Sequence, residues 1–301
     1  MKILYSSNTL SSTRIQFKVI FIFVIKMPEF KIKSIDDVIP KGTTVLRCSY
    51  KNLTSLPKLP SSLKELICDN NCLTSLPELP NSLQILECEN NKLTSLPELP
   101  FSLKRLRCFR NKLTSLPSLP SSLEYLSCDN NYLNSLPVIK HCSLYMLYCE
   151  SNNLNELPEL PYSLCDLNCM YNNLTKLPEL PSLDKLYCSG NKLTELQISS
   201  SLRILFCDNN KLTQIHELPC SLLIFGCSHN NLTVLPQNLN ENINLQRFVY
   251  KGNNFPQEVI DILYPTEERW YSYNKKEEMQ EAIHKLDILG YIPKQTQFYL
   301  K

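Results

Sequence analysis

The sequence predicts a solenoid of stacked short repeats, and three observations carry that reading. Cysteine returns on a beat of about twenty residues, at Cys48, Cys68, Cys88, Cys108, Cys128, Cys149, Cys169, Cys188, Cys207 and Cys227, with Tyr250 in the slot that follows. Leucines and an asparagine are phased to it. One unit holds Leu63, Leu66, Cys68, Asn71 and Leu73, the next Leu83, Leu86, Cys88, Asn91 and Leu93, or L-x-x-L-x-C-x-x-N-x-L in general. Fifteen of the twenty prolines fall between these motifs, as Pro57 and Pro60 or Pro77 and Pro80. The beat defines about eleven units across residues 41–255.

On these residues the chain resembles the leucine-rich repeat family. The short unit with its "LPELP" return is similar to the bacterial-type repeats of secreted effectors, and the cysteine-marked form to repeat proteins of the giant DNA viruses of amoebae. The resemblance covers about seven-tenths of the chain. It implies a curved solenoid with a parallel sheet on the concave side, and usually protein binding.

The residues support that fold independently. Leucine at the first and fourth places and cysteine at the sixth give a period of two near the cysteine, which reads as a short strand. Proline removes a backbone donor and fixes φ, so the returns are neither helix interiors nor central strands. They are expected as extended, polyproline-like segments on the convex face. Asn and Asp clusters such as "DNN" supply the turn after each strand, which lets five glycines suffice. A unit buries about five apolar side chains, worth roughly 1.5–3 kcal/mol each. Ordering about twenty backbones costs roughly 1–2 kcal/mol apiece. No unit folds alone, so the stack is expected to fold cooperatively.

The asparagine recurs as Asn71, Asn91, Asn111, Asn131, Asn152, Asn172, Asn191, Asn210, Asn230 and Asn253. A buried amide is costly unless its donors and acceptors are used. These residues are therefore expected to form a structural ladder, bonding the backbone of their own turn and of the next unit. Lys51 takes that place in the first unit, as suits a terminal repeat. The ten repeat cysteines fill an inward packing slot. Neighbouring strands lie close enough for bridges, but regular use of one slot, with no C-x-x-C pair, argues for free thiols in a reducing compartment. Disulfides and metal are the weaker alternatives. Cys72, Cys142, Cys165 and Cys220 fall off the beat and read as incidental. The "NLT" sequons at Asn52, Asn173 and Asn231 are by-products of the repeat, bare in the cytosol.

Residues 1–40 form an N-terminal extension or cap. Only seven uninterrupted apolar residues, Val19 to Ile25, lie between lysines there. That is short of the roughly twenty that a spanning helix needs, and no small-residue cleavage site follows. The stretch 17–27 is expected to cover the first unit as a strand or short helix, with a weak signal anchor as the alternative. Met27 reads as a plausible start, so residues 1–26 are expected to be poorly ordered or not translated. After Phe255 the composition shifts. "PQEVIDILYP" reads as a short helix opened by Pro256. "KKEEMQEAIHKLDILG" places Met279, Ile283 and Leu286 on one face and stops at Gly290. Residues 256–301 are thus a helical cap over the last unit, too short for a second enzyme domain.

Nothing in the chain reads as catalysis, cofactor binding or a metal site. The effectors that the repeat resembles often carry a ubiquitin-ligase domain with a catalytic cysteine after the repeats. Here the last cysteine is Cys227, inside them, so that activity is not carried over. His141, His216, His229 and His284 are scattered, and no phosphate-cradling glycine loop exists. Net charge is +2, spread along the chain, which does not suit a nucleic-acid binder. Arg105, Arg107 and Arg110 share one unit, but Glu87, Glu89 and Asp129 flank them, as in a salt-bridged patch.

The third and fifth places of L-x-x-L-x-C point outward, opposite to the leucines and cysteine. They hold Tyr125, Met146, Tyr148, Lys185, Tyr187, Ile204 and Phe206. The seventh place adds Asp69, Glu89, Asp129, Glu150 and Asp208, with Phe109 and Met170. Neighbouring units set these about 4.8 Å apart, an aromatic centre edged by carboxylates, like an interface core with its rim. Phe109, Tyr125, Tyr148, Tyr187, Phe206, Asp129, Glu150 and Asp208 are the candidate partner-binding residues. Strand propensity alone also accounts for the aromatics. The expected protein is a monomeric, non-enzymatic scaffold for an unidentified protein partner, without stable membrane insertion, in the cytoplasm of its own cell or a host. An adaptor that recruits ubiquitin-ligase or other host machinery through its tail, and an inert structural repeat protein, are the alternatives.

Overall fold

The structure, a computed structural model, describes residues 29–31, 38–267 and 276–293. The stretch 17–27, with its apolar run, and residues 1–26 lie outside them. Among the described residues, twelve three-residue strands form one sheet whose order follows the chain. They are β1 Glu29–Lys31, β2 Val45–Arg47, β3 Glu65–Ile67, β4 Ile85–Glu87, β5 Arg105–Arg107, β6 Tyr125–Ser127, β7 Met146–Tyr148, β8 Asp166–Asn168, β9 Lys185–Tyr187, β10 Ile204–Phe206, β11 Ile224–Gly226 and β12 Arg247–Val249. Every neighbouring pair is parallel, and from β2 onward like places stand opposite one another, as Leu66 opposite Leu86 or Tyr148 opposite Asn168. β1 lies ahead of the first cysteine-marked unit and pairs with β2. The result is a leucine-rich-repeat solenoid with its parallel sheet on the concave side.

Two periodicities in each unit turn leucines toward a single core. In the strand, alternation sends the fourth and sixth places inward, so Leu66, Cys68, Leu86 and Cys88 are fully buried. In the return the spacing is three: Leu73, Leu76 and Leu79, or Leu113, Leu116 and Leu119, are all buried. A polyproline-like segment has three residues per turn, so those leucines share one side of it. Most returns close through a tight turn in which the first leucine of the next unit donates to the carbonyl of the last proline, as Leu83 N to Pro80 O at 3.0 Å and Leu123 N to Pro120 O at 3.0 Å; Leu202 N donates to Ser199 O and Leu245 N to Asn242 O instead. Towards the end of the stack aromatics replace leucine. Phe225 and Phe248 are fully buried and stack at 5.2 Å, with Tyr250 packed on Phe248 in the cysteine slot.

The stack is closed by α1 Gln257–Glu267 and α2 Lys276–Ile288. α1 begins after Pro256, whose missing N–H suits a helix start, and continues past Pro265 instead of ending before it. α2 lays Met279, Ala282, Ile283 and Leu286, all buried, on the last unit. On its flanks Gln280 donates to the carbonyls of Asn242 and Leu245, and Asp287 accepts from Asn240 in the turn Leu239–Glu241. The helix stops at Gly290, which has φ 81°. Gly290 N donates to Asp287 O and Tyr291 N to Leu286 O, a Schellman cap that needs the left-handed residue.

Candidate functional site

The strands have an inward side that is nearly identical from unit to unit and an outward side that is not. Inward, the asparagine at the ninth place is buried in each unit from Asn71 to Asn230 and half-buried at Asn253. Asn131 is typical. Its Oδ1 accepts Leu113 N at 3.0 Å, and its Nδ2 donates to the carbonyls of Cys108, Cys128 and Asp129 at 3.0–3.2 Å. Leu113 and Cys108 belong to the preceding unit. The expectation that the amide reaches the next unit is therefore corrected: it reaches back. The reason lies one residue earlier. The eighth place is left-handed in every unit, with φ between 51° and 72° from Asn70 to Gly252, and this turns the asparagine across the earlier repeat.

A second ladder, not read in the sequence, closes the other end of the strands. Ser62, Ser82, Ser102, Ser122 and Ser221, each just before the first leucine, donate to two carbonyls of the preceding unit. For Ser122 these are Phe101 O at 2.6 Å and Leu103 O at 2.8 Å. Its only signal was the recurring Ser-Leu pair. Between the ladders the ten repeat thiols are buried and unbridged. Burial pushes Cys48 and Cys169 up to about 12, so these thiols stay protonated and unreactive. Cys142 is not incidental. It is buried in the hydrophobic core, in the one unit of 21 residues. Cys165 and Cys220 are exposed.

The outward side is charged at its N-terminal end and aromatic in its middle. At the N-terminal end opposite charges cancel across neighbouring strands. Arg47 meets Glu65 at 3.6 Å, Arg105 and Arg107 each meet Glu87 at 3.7 Å, and Arg107 meets Glu89 at 3.2 Å. Arg110 stands apart from this patch at a left-handed edge position, and Asp129 bonds elsewhere, so the expected cluster is narrower than its sequence. Burial raises the Glu89 carboxyl despite Arg107. The two arginines also lie over rings, Arg105 over Tyr125 at 5.0 Å and Arg107 over Phe109 at 5.3 Å.

The middle is aromatic. Tyr125 and Tyr148 meet edge to face at 5.8 Å, and Tyr187 and Phe206 stack at 5.8 Å. Gly226 sits opposite Phe206 in the next strand, and a side chain there would collide with the Phe206 ring at 2.7 Å. The ring thus lies over the bare backbone of β11. Between the two aromatic pairs lies Asp166, at the third place of its unit and the start of β8. Its Oδ2 accepts the Tyr148 hydroxyl at 3.1 Å and Lys185 Nζ at 3.4 Å. Burial first, then Asp166, raises the Tyr148 phenol well above its usual range. Asp166 was not among the candidates, since a single aspartate on an outward column carries no local signal.

The seventh-place carboxylates serve the backbone as well as the rim. Asp129 accepts Glu150 N at 2.9 Å and the Ser127 hydroxyl at 2.7 Å, and Asp208 accepts Ser228 N at 2.8 Å. Each therefore ties its unit to the next. Glu150 accepts Asn168 Nδ2 at 2.8 Å. Phe109, Tyr125, Tyr148, Tyr187, Phe206, Asp129, Glu150 and Asp208 are all partly exposed along one face spanning β5 to β10. Among the described residues no three His, Cys, Asp or Glu side chains are grouped to hold a metal ion, and no helix is long and apolar enough to cross a membrane.

No protein-family model and no curated protein sequence matches the chain. Solved structures do. YopM from Yersinia enterocolitica WA-314 is 34% identical over 72% of this chain, at a TM-score of 0.67. YopM from Yersinia pestis, a leucine-rich effector protein, is 32% identical over 71% of this chain, at a TM-score of 0.52, and 73% of its own length is covered. The functional domain of InlJ from Listeria monocytogenes, which includes a cysteine ladder, is 31% identical over 64% of this chain, at a TM-score of 0.53. The chain spans 48% of the first of these and 49% of the third, about half of each.

Proposed function

This chain belongs to the leucine-rich repeat family, and we propose that it is a non-enzymatic scaffold that grips a partner protein on its concave sheet. One observation carries the reading. The outward columns of β5 to β10 bring together two aromatic pairs, Tyr125 with Tyr148 and Tyr187 with Phe206, and leave all four rings partly in contact with solvent. Apolar surface in contact with water is unfavourable, and large rings held rigid by strand pairing recognise a partner at small entropic cost. The self-neutralised Arg–Glu patch at one end and the carboxylates along the edge form a polar rim around them. Likeness to YopM, an effector, agrees with a protein that acts on another protein. The unbridged thiol column suits a reducing compartment, which we take to be the cytoplasm of its own cell or of a host.

The test is capture from lysate by the immobilised full chain and by a variant with Tyr148, Tyr187 and Phe206 all changed to serine. The triple variant is expected to lose the captured protein, while changes at Glu98 and Glu179, exposed on the returns, leave capture intact. Capture that survives the triple change and disappears with the return changes rejects the concave face. Deleting the tail separates the adaptor reading, because a scaffold keeps its concave partner without it.

A further inference from the structure

We propose that the middle of the concave face anchors a cationic side chain, an arginine or lysine carried on an apolar segment of a protein partner, at Asp166. The inference rests on the concave face being the binding surface and adds the chemistry of what it binds.

Asp166 points outward from the centre of the sheet, yet only 5% of it is exposed. Tyr148 and Lys185 share its Oδ2. Oδ1 is buried and has no hydrogen-bond partner among the described residues. A buried carboxylate is stable when opposite charge and donors surround it, and one oxygen without a donor is costly. Elsewhere on the face the charge is met by arginine: Glu65 has Arg47, Glu87 has Arg105 and Arg107, and Glu89 has Arg107, although Glu89 Oε2 is also buried without a hydrogen-bond partner among the described residues. From Tyr125 to Asp208 the third, fifth and seventh places instead hold Asp129, Glu150, Asp166 and Asp208 against Lys185 alone.

Lys185 is a weak internal stand-in for the missing charge. It is a single ammonium, without the paired N–H groups of the arginines on the rest of the face, and its side chain is 36% exposed. A lysine with that much of its side chain in solvent can swing away, and a guanidinium with two parallel N–H groups matches a carboxylate better. The rings on either side suit the same guest. The face already lays guanidinium groups over Tyr125 and Phe109, and Tyr148 and Tyr187 flank Asp166 with the same kind of surface. The apolar stem of the guest would lie along Met146, Ile204 and Phe206.

The proposal gives opposite signs for the two members of one ion pair. The probe is a displayed library of random peptides selected on the full chain, with recovered peptides re-measured on folded variants checked by thermal melting. Recovered peptides are expected to be enriched in Arg or Lys next to apolar residues. Asp166→Asn is expected to weaken them by about tenfold or more, while Lys185→Gln strengthens them several-fold by removing the competitor. Should Asp166→Asn not fold, the sign of Lys185→Gln decides. Peptides lost on the triple serine variant but without basic enrichment, or indifferent to both single changes, overturn the cation anchor and leave the concave face standing. So does weakening by Lys185→Gln. Peptides that bind the triple serine variant as well as the parent, or a library that returns none, overturn both.

Discussion

From β3 to β12 the fourth place of the unit reads Leu66, Leu86, Leu106, Leu126, Leu147, Leu167, Leu186, Leu205, Phe225 and Phe248. The fifth place, one residue on, reads Ile67, Glu87, Arg107, Ser127, Tyr148, Asn168, Tyr187, Phe206, Gly226 and Val249. The two columns share the same strands and the same hydrogen bonds, and differ only in the side they face. An inward position is packed by the units before and after it, so its volume and polarity are prescribed by neighbours that repeat. An outward position must only tolerate a strand. Sameness therefore marks what holds the solenoid together, and variation marks where it is free to recognise something.

The sharpest way to break this comparison is to remove what covers the inward side at its last unit. Deleting residues 276–301 uncovers the surface that Met279, Ile283 and Leu286 bury. Each such side chain is worth roughly 1.5–3 kcal/mol, so a marked fall in melting temperature and solubility is expected. A truncated chain as stable and soluble as the parent would mean that the end of the stack needs no cover. Next in size is the ladder. Asn131→Ala leaves Leu113 N and Cys108 O without their partner and is expected to cost about 3 kcal/mol in denaturant unfolding. Asn130→Ala, one residue away, is expected to cost about 1 kcal/mol, because Asn130 is exposed but left-handed at φ 53°. Equal losses would contradict the assigned register.

A smaller effect belongs to the serine ladder. Ser122→Ala removes a donor to two carbonyls at the solvent edge and is expected to cost about 1 kcal/mol. No loss would make these contacts incidental to stacking. Smaller still is the effect of pH through Glu89. Burial raises its folded carboxyl above the usual 4.5, so the folded state keeps a proton that the unfolded state has lost. Stability from this group is accordingly fullest below about 4.5 and falls as pH rises through the raised folded value. Glu89→Gln is expected to flatten that part of the stability–pH curve; an unchanged slope would assign it to other groups. The last contrast involves no change in stability. Under native conditions a thiol reagent is expected to modify Cys165 and Cys220 promptly, and the ten column thiols and Cys142 only after denaturation. Prompt native labelling of the column would show that the core opens.

Much of the core was legible without coordinates, because each unit states it again. Leu63, Leu66 and Cys68 announce a strand with one buried side, and Met279, Ile283 and Leu286 announce a helix with one. What was illegible depends on a neighbour. Asp166 looks like any surface aspartate until β7 and β9 place Tyr148 and Lys185 beside it. Asp129 and Asp208 look like rim charges until the next unit presents a backbone amide to each. Cys142 looks stray until the structure buries it among the leucines of the core.

By itself, then, the sequence determined the repeat, its period and the side each leucine faces, since those follow from short-range alternation and from proline's fixed φ. Only the tertiary structure decided the direction in which the asparagines reach, the pairing of Tyr125 with Tyr148 and Tyr187 with Phe206, and the burial of an outward carboxylate. Those depend on side chains about twenty residues apart in the chain being brought about 4.8 Å apart by parallel strand pairing.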